Sequence, residues 1–316
     1  MTKFFLLFFA SVLFCSVNCY SQQDIQYSMY TYNGLYLNPA YAGSHDALNA
    51  TAVYRTQWVN VPGAPESASV AIHSPLQNDK LALGLIYTYD QIGVTKTNSV
   101  DASFAYRAPI GRNKDIRLCV GLAAGFENYY ANFNNIALTD PNDQQFTGTQ
   151  NRWLPDAQVG IYVYGHKFFA GAALSHIFSN NLTGLPYAFE TSPLVAHQYY
   201  NVNVNAGYVL DISPKVKFLP SVLFKYVPVH APFTFDFNAT FVFIDRIWVG
   251  AAYRLNDSYN FMVSAYVTKS LRIGYAYDLT VSTLNSFTSG SHELLVGVDF
   301  AVLKGKLSSP KRVIYF

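Results

Sequence analysis

Chemistry needs nucleophiles, bases or metal ligands held at set spacings, and in this chain such residues are thinly scattered. The seven histidines stand at 45, 73, 166, 176, 197, 230 and 292, without the short repeats that put two imidazoles on one metal. No His-Glu-x-x-His, Gly-x-Ser-x-Gly, phosphate-binding glycine loop or paired Cys-x-x-Cys occurs. One set, His176, His197, Asp156 and Ser192, has the residue types of a hydrolase. It would have to assemble at the rim of a larger framework, and any chain with this many polar connections offers such a set. The expectation is a protein that is not an enzyme and uses no metal or cofactor.

The framework itself is written in a two-residue rhythm from about residue 47 to residue 303. Between Phe233 and Phe243 the odd positions are nearly all aromatic, while Thr234, Asp236, Asn238 and Thr240 fall between them. Leu271, Ile273, Tyr275, Tyr277 and Leu279 alternate with Arg272, Gly274, Ala276 and Asp278, and Leu294 to Val302 repeat the pattern. Successive side chains of a strand point to opposite faces, so each segment has one apolar face and one small or polar face. Segments of about ten residues built this way, behind a secretory signal, predict an all-β fold: a transmembrane antiparallel outer-membrane β-barrel of about 14 strands.

Composition agrees. The chain is 51% hydrophobic and 16% aromatic but only 13% charged, where an ordinary soluble domain carries about a quarter. No window after the signal holds the roughly 18 apolar residues of a membrane helix. A closed barrel is then the way to satisfy every backbone group in lipid. A net charge of +2 without a basic cluster excludes nucleic acid as a partner.

Residues 1–21 read as a signal peptide: Lys3, then an apolar run from Phe4 to Val17, then small residues ahead of Gln22. Neither Cys15 nor Cys19 sits in the small-residue pattern of a lipid attachment site. Cleavage leaves Cys119 alone, so no intrachain disulfide is expected. Residues 22–46 form an N-terminal periplasmic or plug segment, 47–303 the barrel and 304–316 a C-terminal periplasmic tail.

An even strand count puts both termini in the periplasm of a Gram-negative cell. Short inner turns are expected at Pro75–Lys80, Gly111–Lys114, Gly165–Lys167, Ser213–Lys215, Ile244–Arg246 and Thr268–Ser270. Long outer connections are expected at Tyr129–Asp156, Asn180–His197 and Thr280–His292. By parity Asp101, Arg107, Arg117, Glu127, Lys225, Asp236, Arg254, Arg272, Asp278, Glu293 and Asp299 point inward. Mixed charges in a narrow barrel cross-link its walls, because an unpaired one costs several kcal/mol, on the order of 3–5. Phe235, Phe237, Phe241, Tyr275 and Phe300 point outward to lipid.

The residues before the first strand carry a sharper pattern. Gln22-Gln-Asp-Ile-Gln-Tyr-Ser-Met-Tyr30 is followed by Asn33-Gly-Leu-Tyr-Leu-Asn-Pro-Ala-Tyr-Ala-Gly43-Ser44, then Tyr54-Arg-Thr-Gln-Trp58. This opening resembles that of the PorP/SprF family of type IX secretion outer-membrane proteins. There Gln-x-Gln-(Tyr/Phe)-Ser, Leu-x-(Ile/Leu)-Asn-Pro-Ala-Tyr-Ala-Gly and Arg-x-Gln-Trp recur. The matching positions are Gln26, Tyr27, Ser28, Asn38, Pro39, Ala40, Tyr41, Ala42, Gly43, Arg55, Gln57 and Trp58. The tail Ser309–Phe316 is similar to the family's Pro-Arg-Tyr-Phe ending, with a small insertion. Physically, Pro39 fixes its own φ, biases Asn38 away from helix, and Gly43 permits a sharp reversal. A structured turn at the periplasmic mouth explains these residues as well as a partner-binding motif does. Tyr27, Tyr30, Tyr32, Tyr36 and Tyr41 are placed to pack as a plug against the inner wall.

The resemblance implies a non-enzymatic partner of the type IX machinery. Its partners would be outer-membrane lipid, a large secreted cargo protein with a C-terminal sorting domain, of adhesin or gliding type, and periplasmic components of the machinery. Its role would be to assist export of that cargo or to hold it at the cell surface. A plugged outer-membrane transport barrel for a small solute is the alternative.

Overall fold

The computed structural model describes residues 24–77, 79–111, 115–134, 148–182, 198–227 and 233–300. The expected signal peptide, most of the turn after Gly111 and the C-terminal tail lie outside the described residues. Fifteen strands are present among them. The first seven are β1 Leu48–Thr56, β2 Glu66–Pro75, β3 Leu81–Ile92, β4 Thr95–Ile110, β5 Ile116–Asn132, β6 Thr149–Tyr164 and β7 Phe168–Ser175. Then follow β8 Asn201–Tyr208, β9 Leu210–Ser213, β10 Val216–Tyr226 and β11 Thr234–Phe243. The last four are β12 Ile247–Arg254, β13 Ser258–Tyr266, β14 Leu271–Thr280 and β15 Ser291–Phe300.

Apart from β8 and β9, each strand pairs antiparallel with its neighbours in sequence, and β15 closes on β1 in the register Leu48↔Phe300 to Thr56↔His292. Both β8 and β9 pair with β10, so they are one stave broken at the buried Val209. The result is a closed antiparallel barrel of 14 staves, as the alternation predicts. No helix among the described residues is long and apolar enough to cross a membrane.

Parity is realised strand by strand. On β11, Asp236, Asn238 and Thr240 are buried while Phe237 and Phe241 are exposed, Phe237 at 53%. Tyr275 and Phe300 also face out, and Arg107, Arg254, Arg272, Asp278 and Glu293 are buried inside. The expected short turns fall between β2 and β3, β6 and β7, β9 and β10, β11 and β12, and β13 and β14. They share one end of the barrel, the short-turn end. The expected long connection from Tyr129 to Asp156 is shorter than the sequence suggested: β5 runs on to Asn132 and β6 starts at Thr149. At 16 to 17 residues, β4, β5 and β6 exceed the roughly 9–11 that span a bilayer. They raise one wall beyond the membrane at the long-connection end.

The chain before β1 does not stop at one mouth. Asp24 lies at the long-connection end, bonded to Asn201 at the start of β8. Asp46 lies at the short-turn end against Arg107. Between them come a 3-10 turn Tyr30–Tyr32, an α-turn Gly34–Leu37 and a second 3-10 turn Pro39–Tyr41. Nearly every residue from Ile25 to Ala42 is buried. The expectation that both termini share one side is therefore corrected for the described chain: Asp24 and Phe300 stand at opposite ends. Counting strands from β1 is blind to a segment that runs the length of the barrel before the first strand begins.

Candidate functional site

The inward face of the barrel and the segment 24–47 meet in four places, and most of the family-motif residues are found there. Near the long-connection end, Arg55 on β1 binds Asp278 on β14 at 2.6 Å and Glu293 on β15 at 3.1 Å. The Ser28 and Met29 backbone N–H groups donate to the two oxygens of Glu293, at 2.7 and 2.8 Å. The Ser28 hydroxyl donates to Asp278 and accepts from Arg55 and from Asn260 on β13, each at 3.1 Å. Four staves and the segment are thus joined by one charge-assisted network, the kind in which each hydrogen bond is strongest. Gln26 reaches Thr234 on β11, and Tyr27 packs edge-on against Tyr36.

Midway down, the Pro39–Tyr41 turn sits on a patch of wall without side chains. Asn38 Oδ1 caps the Ala40 N–H at 2.9 Å, and its Nδ2 donates to the carbonyls of Ile161 on β6 and Ala172 on β7. The wall beneath is Gly121 on β5, directly opposite Gly160 on β6, with Gly171 beside them on β7. A Cβ on Gly121 would overlap the backbone of Pro39 and Ala40, and one on Gly160 would overlap the Asn38 side chain. Gly43, expected to permit a sharp reversal, has a φ of +75°, which glycine adopts without a steric penalty.

Below this, Tyr41 is enclosed by aromatic rings. Its hydroxyl meets His45 Nε2 at 3.0 Å, and its ring lies edge-on to His73 and Tyr162. His45 in turn meets Asp299 at 2.8 Å, and the Gly43 N–H donates to His73 Nδ1. Arg272 lies over three rings, Tyr32, Trp248 and Tyr266, each within 4.5 Å of the ring centre. Arg254 grips Asp236 with two nitrogens. Charges of both signs cross-link the interior, as their interleaving predicts.

The fourth meeting point is at the long-connection end. His176, just past β7, lies 3.3 Å from Asp24 and 3.1 Å from Asp156. Burial alone would push the imidazole down, but the two carboxylates hold it well above its ordinary value. Asp24, which burial would raise, is held below the usual carboxylate range by His176, Lys225 and Asn201. His176 and Asp156, two members of the expected rim set, are thus brought together. The other two members of the rim set, Ser192 and His197, lie outside the described residues. Among the described residues no three His, Cys, Asp or Glu side chains converge as metal ligands. Cys119 is buried and free.

Gln26, Tyr27, Ser28, Asn38, Pro39, Ala40, Tyr41, Ala42 and Arg55 are therefore brought together inside the barrel, and Gly43 lies beneath them. Gln57 and Trp58 stand apart in the connection after β1. Trp58 is half-buried there with φ of +45°, its N–H donating to Ser291 Oγ. Sequence reasoning missed Asp24, Asn260 and the three wall glycines. The available signal was the glycine at an inward-parity position in each of three consecutive strands.

No curated protein matches this chain. Solved structures with a similar barrel include the Ralstonia pickettii toluene transporter TbuX, with TM-score 0.49 and 10% identity over 84% of this chain and 93% of that one. The CymD monoaromatic hydrocarbon channel has TM-score 0.49 and 10% identity over 85% and 92%. A Pseudomonas aeruginosa FadL homologue has TM-score 0.46 and 11% identity over 86% and 94%. Likeness at this level says nothing about what this chain does. A family model described as "Type IX secretion system membrane protein PorP/SprF" matches residues 19–298. With that match over most of its length, this chain belongs to the PorP/SprF family, the outer-membrane β-barrel components of type IX secretion.

Proposed function

We propose that this barrel works without enzymatic chemistry, holding or helping to export a large secreted protein with a C-terminal sorting domain, of adhesin or gliding type. The observation that supports the reading is the buried segment 24–47. It touches wall residues on most staves and is tied to them by Arg55, Asp278 and Glu293. A barrel with its interior so occupied is suited to present a surface, not to pass a folded or unfolded chain.

In this reading residues 1–21 are a cleaved signal peptide, 22–46 a plug, 47–303 the barrel and 304–316 a tail. The short-turn end faces the periplasm, which brings the tail to the type IX components there. Asp24 then sits at the outer mouth, the reverse of the side expected from strand counting.

The test is deletion of the gene. General nutrient uptake should be unchanged while one or a few large secreted proteins disappear from the cell surface. Unaltered surface display in the deletion, with paralogues also removed, would sink the reading.

A further inference from the structure

Toward the short-turn end the buried segment is fastened by two histidines from different parts of the chain. The ring of His73, near the end of β2, stands edge-on to Tyr41 with centres 5.4 Å apart, and to His45 at 5.3 Å. His73 is 3% exposed and His45 5%. The Gly43 N–H donates to His73 Nδ1 at 3.1 Å. A ring nitrogen that accepts a hydrogen bond carries no proton, so the geometry fixes His73 as the neutral imidazole with its hydrogen on Nε2. The bond is made at the reversal of the segment, where Gly43 has its φ of +75°.

The surroundings offer a second proton no partner. The titratable and charged groups facing the His73 ring are Tyr41 and His45 of the segment, Arg107 of β4 and Asp299 of β15. The flanking strands β1 and β3 place Asn49 and Gly84 beside it, and neither titrates. Asp299 is the anion of this set, and it is already engaged. It meets His45 Nδ1 at 2.8 Å, Asn49 Nδ2 at 2.9 Å and the Tyr266 hydroxyl at 3.0 Å. An imidazolium donates from both nitrogens. A proton on Nδ1 would point one N–H at another, that of Gly43, and would bury a positive ring near Arg107, which is costly. Protonation of His73 and the seat of Gly43 exclude one another.

We propose that His73 and Gly43 form an acid-released latch. A proton taken up by His73 frees residues 41–46 from the wall, while Arg55, Asp278 and Glu293 keep Ser28 and Met29 docked. The latch depends neither on the cargo nor on the side that this end faces. A released imidazole takes its proton near about pH 6.5, so each pH unit below that favours the released form by up to about tenfold. The sense is opposite to that at Asp24, where His176 docks between two carboxylates.

The test is backbone hydrogen exchange, read by mass spectrometry on the full barrel in non-ionic detergent. It runs from about pH 8 to about pH 5, above the ordinary carboxylate range of about 4. Corrected for the intrinsic pH dependence of exchange, protection of residues 41–46 should fall about tenfold across the acid half of this range. Protection of residues 25–30 should hold. His73→Asn keeps an acceptor oxygen near the place of Nδ1 but takes up no proton, and it should abolish the fall. Heat-modifiable migration on a gel shows whether that variant assembles. Should it not, exchange at the imidazole C2 hydrogens of the unaltered protein reports each histidine's protonation directly. His73 should then take up its proton over the same range in which residues 41–46 lose protection. A flat profile in the unaltered protein, the same fall in assembled His73→Asn, an equal loss over residues 25–30, or a protonated His73 with residues 41–46 still protected would each overturn the latch.

Discussion

The Ser28 hydroxyl lies 3.1 Å from Arg55 Nη1, so the chain's buried entrance and the first barrel strand share one guanidinium. Arg55 is 1% exposed, and its two partners, Asp278 and Glu293, are as deeply buried. The three residues lie on adjacent staves, β14, β15 and β1, at the seam where the barrel closes. Closure of the ring and docking of the segment are therefore one event in charge terms: neither carboxylate is compensated until Arg55 arrives, and Ser28 completes the set.

Replacing Arg55 with Met should leave two buried carboxylates without their cation, at a cost of about 3–5 kcal/mol. Ser28→Ala removes bonds to charged groups and should cost about 1.5–3 kcal/mol. Because both act on one network, the double variant should lose less than the sum of the two. Urea unfolding of the barrel in lipid vesicles reads all three, and strict additivity would show that Ser28 and Arg55 are not coupled.

The glycine seat gives a second prediction. Gly160→Val adds a side chain where Asn38 lies and should displace the Pro39–Tyr41 turn while the strands, which gain a β-branched residue, still pair. Planar-bilayer recordings should then change from small, rare events to steady current, as should deletion of residues 24–44. Large steady currents from the unaltered protein would mean that the segment does not close the lumen.

Orientation is open to cysteine labelling because Cys119 is buried. Pro62 is exposed in the connection after β1, and Lys215 is exposed in the turn before β10, at the opposite end. A membrane-impermeant maleimide on intact cells should label Pro62→Cys, and Lys215→Cys only after the outer membrane is opened. The opposite result inverts the barrel and places Asp24 on the periplasmic side.

The pairing of His176 with Asp24 sets a pH window. His176 is raised in the folded protein, so its contribution is complete below the ordinary imidazole value, about 6.5, and is lost as pH rises through the raised one. Asp24 is lowered, so its contribution is complete above about 4 and is lost as pH falls further. Protection of the chain around Asp24 from protease should be greatest between these limits and decline on the alkaline side. His176→Gln should flatten that alkaline decline. An unchanged profile in the variant would remove His176 as its cause.

How much of this was legible in the sequence depends on the range of the interaction. Alternation is local, so Asp236 inside and Phe237 outside could be read from neighbouring letters, and the number of staves followed. The break at Val209 was not legible, since a single residue out of step leaves the rhythm on both sides intact. Nor was the path of the segment. Ser28 meets Glu293 across 265 positions, and no local pattern carries that distance. Arg55 stood out through the resemblance, whereas Gly121, Gly160 and Gly171 looked like ordinary small residues of an inward face. What they share is visible only when three strands lie side by side.

Tyr41 and Trp58 both belong to the family pattern, and the structure separates what their loss should do. Tyr41 is 3% exposed and packed among His45, His73 and Tyr162, so Tyr41→Ala should cost about 3–5 kcal/mol and act through the fold. Trp58 is half-buried at the long-connection end, outside the network that docks the segment. Its φ of +45° favours Asn as the replacement, because Asn tolerates the left-handed region best among residues with a side chain. Trp58→Asn should migrate on a gel as a folded barrel at normal abundance, yet display less cargo at the cell surface. Tyr41→Ala should lower abundance and display together. If Trp58→Asn instead shows full display, the connection after β1 is not where the cargo is held. If both variants lose barrel and cargo in the same proportion, the family pattern as a whole serves folding, and the contact with the secreted partner must be sought elsewhere on the outer rim.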